Sequence, residues 1–261
     1  MDSQFSAIVL AGERPGGSAL SQELGLVASV LVDVAGKPAL ARVIEALESG
    51  EMVSGGLLCG PAENVYRNSG QIRLILTGSS FTWMAPEIGP SASALAALER
   101  LNRYPVLLTA GDHALLSPGL VDSFCRRALQ LDADIVVGLV PYGKVRQAYP
   151  DSLRTVLKFS DGQYCGSNLF AILNQKGKAG PKFWRELESL RKHPWRMVHK
   201  LGTRLLIRYL LGRLSLAQAL EALSRAMGCR LGYVLIESPR AAVDVDSVTD
   251  RDLAEKILRS D

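Results

Sequence analysis

The sequence predicts an α/β fold in three layers, with a mostly parallel sheet and one basic helical insertion. Short apolar runs without polar alternation recur along the chain, and such runs are typical of strands covered on both faces. Helical patterns of roughly 10 to 12 residues separate several of them, which favours right-handed crossovers between parallel strands. The alternation stops after residue 175, where several helical patterns follow one another.

The runs interpreted as strands are short and apolar, and helical patterns lie between or after them. The strand candidates are 7–10, 57–59, 73–76, 106–108, 135–140 and 233–236. The helix candidates are 38–47, 92–101, 120–131 and 250–258. Two helices carry start signals, because Ser91 is an N-cap candidate and Ser117 precedes Pro118 at the first helical position.

Residues 176–232 form the predicted helical insertion or cap, which leaves 1–175 and 233–261 as the α/β domain. The insertion holds 13 Lys and Arg against three Glu and no Asp, whereas the net charge of the whole chain is +4. Its helical patterns have apolar and basic faces and cover 184–190, 195–201, 204–211 and 216–227. Two interpretations stay open: a solvated basic face that covers a crevice, or a surface for anionic lipid, RNA or an acidic acceptor such as a lipid-linked phosphate. No strong nucleic-acid signal accompanies these helices.

Composition places the chain among globular cytoplasmic proteins. Apolar residues make up 48% of the 261 positions, which suffices for a large core. No apolar stretch approaches the roughly 18 residues that span a bilayer, and the run 7–11 lacks the length and basic flank of a secretory signal. Four separated cysteines without a C-x-x-C pair indicate neither a zinc site nor a disulfide framework. We therefore expect a cytoplasmic protein with free thiols.

The first apolar run ends in a glycine-rich segment, Gly12-Glu13-Arg14-Pro15-Gly16-Gly17. This segment matches neither the P-loop pattern nor G-x-G-x-x-G, so the ATPase and dinucleotide-binding classes lose their main support. Its glycines still allow backbone N–H groups to approach phosphate oxygens, and Arg14 can supply a forked donor. A phosphate-binding loop and a surface turn are both compatible with this composition.

Acidic residues lie at two other places where polar sequence follows an apolar run. Asp112 follows the fourth strand candidate, while Asp244 and Asp246 are two residues apart, so in an extended segment both face the same side. Mg²⁺ prefers oxygen ligands and typically takes one or two carboxylates together with substrate phosphates. The alternatives are a turn at Asp112 and capping of the last helix by Asp246, Ser247 or Thr249.

The motifs that end these strands occur in a characteristic order. They are Leu10-Ala11-Gly12 with Arg14, Gly36-Lys37-Pro38, Gly111-Asp112, Gly166-Ser167-Asn168 and Asp244-Val245-Asp246. In this order they resemble the motifs of MobA-like nucleotidyltransferases, which have a GT-A-type, Rossmann-like fold. The resemblance covers most of the chain outside the insertion. It implies transfer of a nucleoside monophosphate from an NTP to a small phosphorylated acceptor, with release of pyrophosphate.

The resemblance also implies a role for each motif. Arg14 and Asp112 would be catalytic, and Asp112 would hold Mg²⁺ together with Asp246 or Asp244. Residues 11–17 would hold the triphosphate, and the segment that begins at Pro90 would lie near the base. The residues implied to contact the nucleotide are Leu10, Ala11, Gly12, Glu13, Arg14, Gly16, Gly17, Pro90, Ser91, Ser93, Gly111 and Asn168. Such chemistry needs positioning and charge neutralisation rather than a protein nucleophile.

One departure from the family pattern concerns a lysine. The family usually places a Lys between its glycine-rich loop and its Gly-x-Pro element, but Ser29 stands there and no Lys or Arg occurs between Gly17 and Gly36. A cation missing where charge develops can cost on the order of several kcal/mol of transition-state stabilisation. Arg14 or the insertion could supply it instead. The alternative function is a catalytically degraded homologue that binds nucleotide or a partner protein.

Overall fold

The computed structural model describes residues 4–13, 16–190 and 203–260, which form a mixed sheet with helices on both faces. The strands are β1 Phe5–Leu10, β2 Asp33–Val34, β3 Lys37–Pro38, β4 Val53–Cys59, β5 Phe81–Met84, β6 Val106–Ala110, β7 Ile135–Pro141, β8 Leu157–Phe159, β9 Gly162–Ile172 and β10 Leu231–Leu235.

The sheet has the strand order β10-β7-β9-β6-β1-β4-β5, and β8 pairs with β9. Its neighbouring strands are parallel, except that β9 runs antiparallel to β6, β7 and β8. The short strands β2 and β3 pair only with each other.

The helices connect these strands and continue into the predicted basic insertion, residues 176–232. They are α1 Ala19–Leu24, α2 Ala39–Glu48, α3 Glu63–Asn68, α4 Gly70–Leu76, α5 Pro90–Leu101, α6 Pro118–Leu129, α7 Tyr142–Ala148, α8 Ala179–Leu190, α9 Thr203–Leu210, α10 Leu216–Met227 and α11 Val248–Leu258. Single 3-10 turns occupy Ser29–Leu31, Gln175–Lys178 and Pro239–Ala242. Within the described residues, no helix combines the length and the apolar character needed to cross a bilayer.

The core consists of two apolar layers, one on each face of the sheet. Alternate residues of a strand point to opposite faces, so Val9 packs with helices α2 and α6 while its neighbour Ile8 packs with helix α5. All of these strand residues are buried. The predicted three-layer α/β fold with a mostly parallel sheet is therefore confirmed.

Two local predictions were wrong. The run 73–76 belongs to helix α4, because the Ser69 side chain caps that helix and only Ile72 of its first residues is buried. A short apolar run does not distinguish a strand from a helix by itself. Ser91 does not cap α5 either: Gly89 is the cap and Pro90 is the first helical residue.

Other helix starts agree with the sequence. Ser117 caps α6 by accepting a hydrogen bond from the Leu120 N–H, with Pro118 at the first helical position as predicted. Ser247 caps α11 by accepting a hydrogen bond from the Asp250 N–H. The side chain of Asp246 is therefore not needed as the cap of α11.

The described part of the predicted insertion, residues 176–232, contains the helices α8, α9 and α10, with turns after α9 and α10, and its last two residues belong to strand β10. Helix α8 packs against α5, and α10 packs against β10. The predicted helix 195–201 lies outside the described residues. The division into 1–175 with 233–261 and an insertion at 176–232 stays a prediction.

Candidate active site

The strands β1, β4 and β6 end side by side, and we call this side of the sheet the carboxyl edge. The Ala11 N–H donates to the Cys59 carbonyl at 2.8 Å, and the Gly111 N–H donates to the Leu10 carbonyl at 2.8 Å. The backbones are so close that a Cβ on Gly60 would lie 2.6 Å from the Ala11 carbonyl carbon. The motifs around residues 10–12 and 111–112 are therefore neighbours, as expected for strand-end loops that bind a ligand.

A third loop joins this edge from the start of helix α5. A Cβ built on Gly12 would lie 3.3 Å from the Pro86 Cβ, so the segment 85–89 borders the first loop. Ser93 holds this segment in place. Its hydroxyl accepts a hydrogen bond from the Glu87 N–H at 2.9 Å and donates one to the Glu87 carbonyl at 3.3 Å. Ser91 is also buried and donates its hydroxyl to Glu188 of helix α8 at 2.5 Å.

Glu13 organises the first loop through both of its carboxylate oxygens. Its Oε1 accepts from the Ser18 N–H at 2.8 Å and from the Ser21 hydroxyl at 2.7 Å, and its Oε2 accepts from the Ser29 N–H at 3.3 Å. Burial raises the pKa of Glu13, but these hydrogen bonds outweigh it and lower the pKa below its ordinary value. The residue aligned with the missing lysine thus donates to an anion of the protein itself. Arg14 lies outside the described residues.

Asp112, Asp244 and Asp246 form an acidic cluster at the carboxyl edge. The Val245 N–H donates to the Asp112 carbonyl at 3.1 Å, which joins the two acidic segments. Burial, with the charges of Asp246 and Asp244, raises the pKa of Asp112 to about 7. Burial, with the charges of Asp244 and Asp250, raises the pKa of Asp246. Among the described residues, no hydrogen-bond partner reaches the buried Oδ1 of Asp112.

Asp244 differs from the other two because it forms an ion pair, with Arg154. Its Oδ1 accepts from the Arg154 guanidinium at 2.6 Å, and its Oδ2 accepts from the Asn168 amide at 3.2 Å. The other end of that guanidinium donates to Asp250 at 2.6 Å. The Arg154 side chain is only 8% exposed, so this network is fixed beneath the site. Asn168 has a positive φ of 53°, which Asn tolerates better than most residues.

His113 follows Asp112 and is fully buried. Burial lowers its pKa to about 4, although the nearby Asp244 charge acts in the opposite direction. Neither of its ring nitrogens has a hydrogen-bond partner among the described residues, and the same holds for the hydroxyls of Thr109 and Ser167. The imidazole is therefore neutral at physiological pH.

The acidic cluster fits a Mg²⁺ ion that is held by two protein carboxylates. Buried, mutually repelling carboxylates with an unpartnered oxygen favour a hard cation, and Mg²⁺ completes its shell with water and substrate phosphates. Asp112 and Asp246 form no ion pair among the described residues and could bind the cation, whereas Asp244 forms an ion pair with Arg154. Within the described residues, no group of three or more His, Cys, Asp or Glu side chains is placed to hold a metal ion by itself. The site therefore fits a Mg²⁺ ion that the protein would bind together with a ligand, and it does not fit a structural metal ion bound by protein side chains alone.

Sequence reasoning located Asp112, the glycine-rich loop and the late acidic pair, and the structure brings these three together. It missed Arg154 and Glu188, because neither residue belongs to a recognisable motif. It also expected Pro90, Ser91 and Ser93 near the base; they lie in the first turn of α5, directly after the segment 85–89 that borders Gly12.

A mostly parallel sheet with helices on both faces, a glycine-rich first loop and an acidic cluster at the carboxyl edge define a GT-A-like nucleotidyltransferase fold. The model of the MobA-like NTP transferase domain matches residues 7–242. The chain therefore belongs to the MobA-like NTP transferase family.

Solved structures show the same architecture. A hypothetical transferase from Thermus thermophilus has 27% identity and a TM-score of 0.77, covering 95% of this chain and 99% of that one. Molybdopterin-guanine dinucleotide biosynthesis protein A from Archaeoglobus fulgidus has 13% identity and a TM-score of 0.54, covering 98% of this chain and 100% of that one. The 2-C-methyl-D-erythritol 4-phosphate cytidylyltransferase from Thermus thermophilus has 15% identity and a TM-score of 0.52, covering 98% of this chain and 99% of that one. The last two show the fold alone, and no curated protein matches the sequence.

Proposed function

We propose that this protein is a cytoplasmic, Mg²⁺-dependent nucleotidyltransferase that moves a nucleoside monophosphate from an NTP to a small phosphorylated acceptor and releases pyrophosphate. The observation that carries this proposal is the buried Oδ1 of Asp112, which has no hydrogen-bond partner in the described part of the chain and lies near the charge of Asp246 and the start of the glycine-rich loop. Family membership supports the reaction class, and the cytidylyltransferase among the solved structures supports a phosphorylated acceptor.

Each part of the carboxyl edge has a role in this proposal. Asp112 and Asp246 hold Mg²⁺, which neutralises and orients the phosphates when it is bound. Asp244 is a positioning residue, fixed by Arg154 and Asn168. The residues that approach the nucleotide are Leu10, Ala11, Gly12, Glu13, Arg14, Gly16, Gly17, Pro90, Ser91, Ser93 and Gly111.

The transfer itself needs no protein nucleophile. An oxygen of the acceptor phosphate forms a bond to the α-phosphorus of the NTP, the bond from that phosphorus to the bridging oxygen breaks, and pyrophosphate leaves. The protein contributes alignment of the two reactants and neutralisation of charge, which are the main requirements of phosphoryl-type transfer. Gly12, Gly60 and Gly111 permit the close packing of the strand-end loops on neighbouring residues, because a Cβ on each would lie 3.3, 2.6 and 3.1 Å, respectively, from the nearest protein atom.

Calorimetric titration of the protein with each NTP, with and without Mg²⁺, tests the proposal. We expect one NTP to bind with a strong Mg²⁺ dependence, and product formation in an acceptor screen to follow. Binding that is indifferent to Mg²⁺, or no binding of any NTP, would contradict the proposed function.

The degraded-homologue alternative is tested by restoring the lysine. In Ser29→Lys, we expect Mg²⁺-dependent affinity for the NTP to rise about tenfold, because a charge-assisted hydrogen bond contributes about 1.5–3 kcal/mol. Val27→Lys is the matched control, since Val27 is exposed in the same cation-free stretch. A wild-type protein that binds NTP without turnover, together with a Ser29→Lys variant that turns over, would favour the degraded homologue. Equal gains in both variants would point to general electrostatics.

Anionic lipid is a second candidate partner, at helix α9. This helix leaves Ile207 and Leu210 exposed, Leu211 follows them, and exposed Arg204 and Arg213 lie close by in the sequence. Apolar and basic side chains together suit an anionic membrane surface. Co-sedimentation with liposomes should then increase with the anionic lipid content, and an unchanged bound fraction would eliminate this partner.

A further inference from the structure

Strand β8 lies at the carboxyl edge, on the side of Asp112 away from the glycine-rich loop. In the sheet order, β6 separates β1 from β9 and β7. Strands β6 and β7 are both antiparallel to β9, so they run in the same direction and end at the same edge. Pro141, the last residue of β7, pairs with Tyr164 of β9, which also pairs with Leu157 of β8. This half of the edge therefore adjoins β8, whereas the proposed nucleotide loops follow β1 and β4.

The segment before β8 joins this half to the acidic cluster. Arg154 belongs to that segment and donates to the Asp244 carboxylate at 2.6 Å. The preceding residue, Leu153, is 94% exposed, and Leu157 at the start of β8 is also exposed. Exposed apolar surface that is bordered by polar groups is typical of a binding site. Two large apolar side chains beside the acidic cluster thus indicate a ligand with an apolar part.

Helix α9 is attached to the hairpin of β8 and β9. Phe159 follows Leu157 by two residues, so both lie on the same face of β8, and the Phe159 ring meets Tyr209 of α9 edge-on with the ring centroids 6.0 Å apart. The Ser160 N–H also donates to the Leu214 carbonyl, after α9, at 2.9 Å. Apolar side chains spaced three and four residues apart share one helix face, and those of this helix that face solvent are Ile207, Leu210 and the following Leu211.

The charge around α9 indicates what covers its exposed apolar face. Between Glu188 and Glu221 the sequence contains seven Lys and Arg and no Asp or Glu, and the side chains of Arg204 and Arg213 are exposed. A second copy of this chain would place the same positive charge against this face. An anionic membrane has the opposite charge and takes up apolar side chains. The membrane is therefore the partner that fits α9.

We propose that the acceptor is a membrane lipid with a terminal phosphate monoester. The inference rests on the proposed function, because it requires an NTP at the glycine-rich loop. Helix α9 lies on the membrane, the lipid phosphate reaches the acidic cluster, and the first part of the apolar chain lies against Leu153 and Leu157. An oxygen of the lipid phosphate forms a bond to the α-phosphorus of the NTP, the bond to the bridging oxygen breaks, and pyrophosphate leaves. A diphosphate then joins the lipid to the nucleoside.

The first test measures how the affinity for an alkyl phosphate depends on its chain length. Ethyl, butyl and hexyl phosphate are titrated calorimetrically with Mg²⁺ and the α,β-methylene analogue of the preferred NTP, which cannot release pyrophosphate. We expect hexyl phosphate to bind about 10-fold to 100-fold more tightly than ethyl phosphate, because each buried CH₂ contributes up to about fourfold. With Leu153→Ser and Leu157→Ser combined, this ratio should fall below about threefold. Leu74→Ser is the control, since Leu74 is 73% exposed on α4.

The second test distinguishes a lipid acceptor from general attraction to a membrane. The protein, with the same analogue bound, is mixed with phosphatidylcholine vesicles of equal zeta potential that contain either phosphatidic acid, a phosphate monoester, or phosphatidylglycerol, a diester. We expect tighter binding to phosphatidic acid. Ile207→Ser combined with Leu210→Ser should weaken binding to both vesicles about tenfold, because less apolar surface is buried.

The outcomes separate the acceptor class from the proposed function. If hexyl phosphate binds no more tightly than ethyl phosphate, or if the two vesicles bind equally, the acceptor is not a lipid phosphate and the nucleotidyltransferase remains. A chain-length dependence that survives in the Leu153 and Leu157 double variant would overturn the placement of the chain. No binding of any NTP would overturn both proposals. Thermal melting confirms that each variant is folded.

Discussion

Asp112→Asn is expected to remove Mg²⁺-dependent turnover and to make the metal-free protein more stable. The folded protein holds the Asp112 proton up to pH values near its pKa of about 7, whereas the unfolded chain releases it near the ordinary value of 3.8. The unfolded state therefore binds fewer protons between these pH values, and stability falls as the pH rises through this window. About half of the buried charge is present at pH 7 and nearly all of it well above that pH, where Asp246 and Asp244 repel it.

Asparagine removes this charge at the same size. We expect a gain of about 2 kcal/mol at pH 8, which corresponds to a melting temperature about 4–8 °C higher for a chain of this size. The gain should become small near pH 4, because Asp112 is then protonated in the folded state and about half ionised in the unfolded chain, whose pKa is 3.8. Turnover should fall about 10³-fold, because a group that acts on the charge of the transition state is lost.

Melting curves over pH 4–8, with and without Mg²⁺, measure both effects. Mg²⁺ should raise the melting temperature of the wild type and leave that of Asp112→Asn unchanged, since only the carboxylate gains a partner. Asp252→Asn, on the exposed surface, is the charge-matched control. If Asp112→Asn is no more stable than the wild type at pH 8, burial and the charges of Asp246 and Asp244 do not destabilise the ionised Asp112 carboxylate.

The fold was predictable where strands are buried on both faces. Runs such as β1 and β6 are almost wholly apolar, and burial on both sides requires that. Strand β9, Gly162–Ile172, was not among the predicted strands: its second half, 169–172, is apolar, but glycine and polar residues occupy most of its first half. Its position between β6 and β7, antiparallel to both, follows from pairing with distant strands and not from local pattern.

From the sequence, the site was predictable only at residues that directly follow a strand. Asp112 and the glycine-rich loop have this position, and their neighbourhood follows from the topology of a parallel sheet. Arg154 pairs with Asp244, 90 positions away, and Glu188 meets Ser91 across 97 positions. Such contacts depend on how distant segments pack in three dimensions. Neither Arg154 nor Glu188 lies in a sequence pattern that would reveal this packing.

Arg154→Ala is expected to lower the free energy of unfolding by about 3 kcal/mol, because it leaves two partly buried carboxylates without their cation. Asp244 and Asp250 each accept from the guanidinium at 2.6 Å. Urea unfolding at pH 7.5 measures the loss. Arg67→Ala, which breaks an ion pair whose arginine is 73% exposed, should change stability by less than about 0.5 kcal/mol. A similar small change in Arg154→Ala would mean that its two ion pairs contribute little.

The same variant separates an anchor from a metal ligand. If Asp244 only positions the acidic cluster, adding Asp244→Asn and Asp250→Asn to Arg154→Ala should recover much of the lost stability, because no uncompensated charge remains. Asp244→Asn alone should then weaken Mg²⁺ binding far less than Asp246→Asn does, since the Asp244 oxygens already face Arg154 and Asn168. Equal losses of Mg²⁺ affinity in the two variants would make Asp244 a ligand, and Arg154 would then hold it ready for the metal.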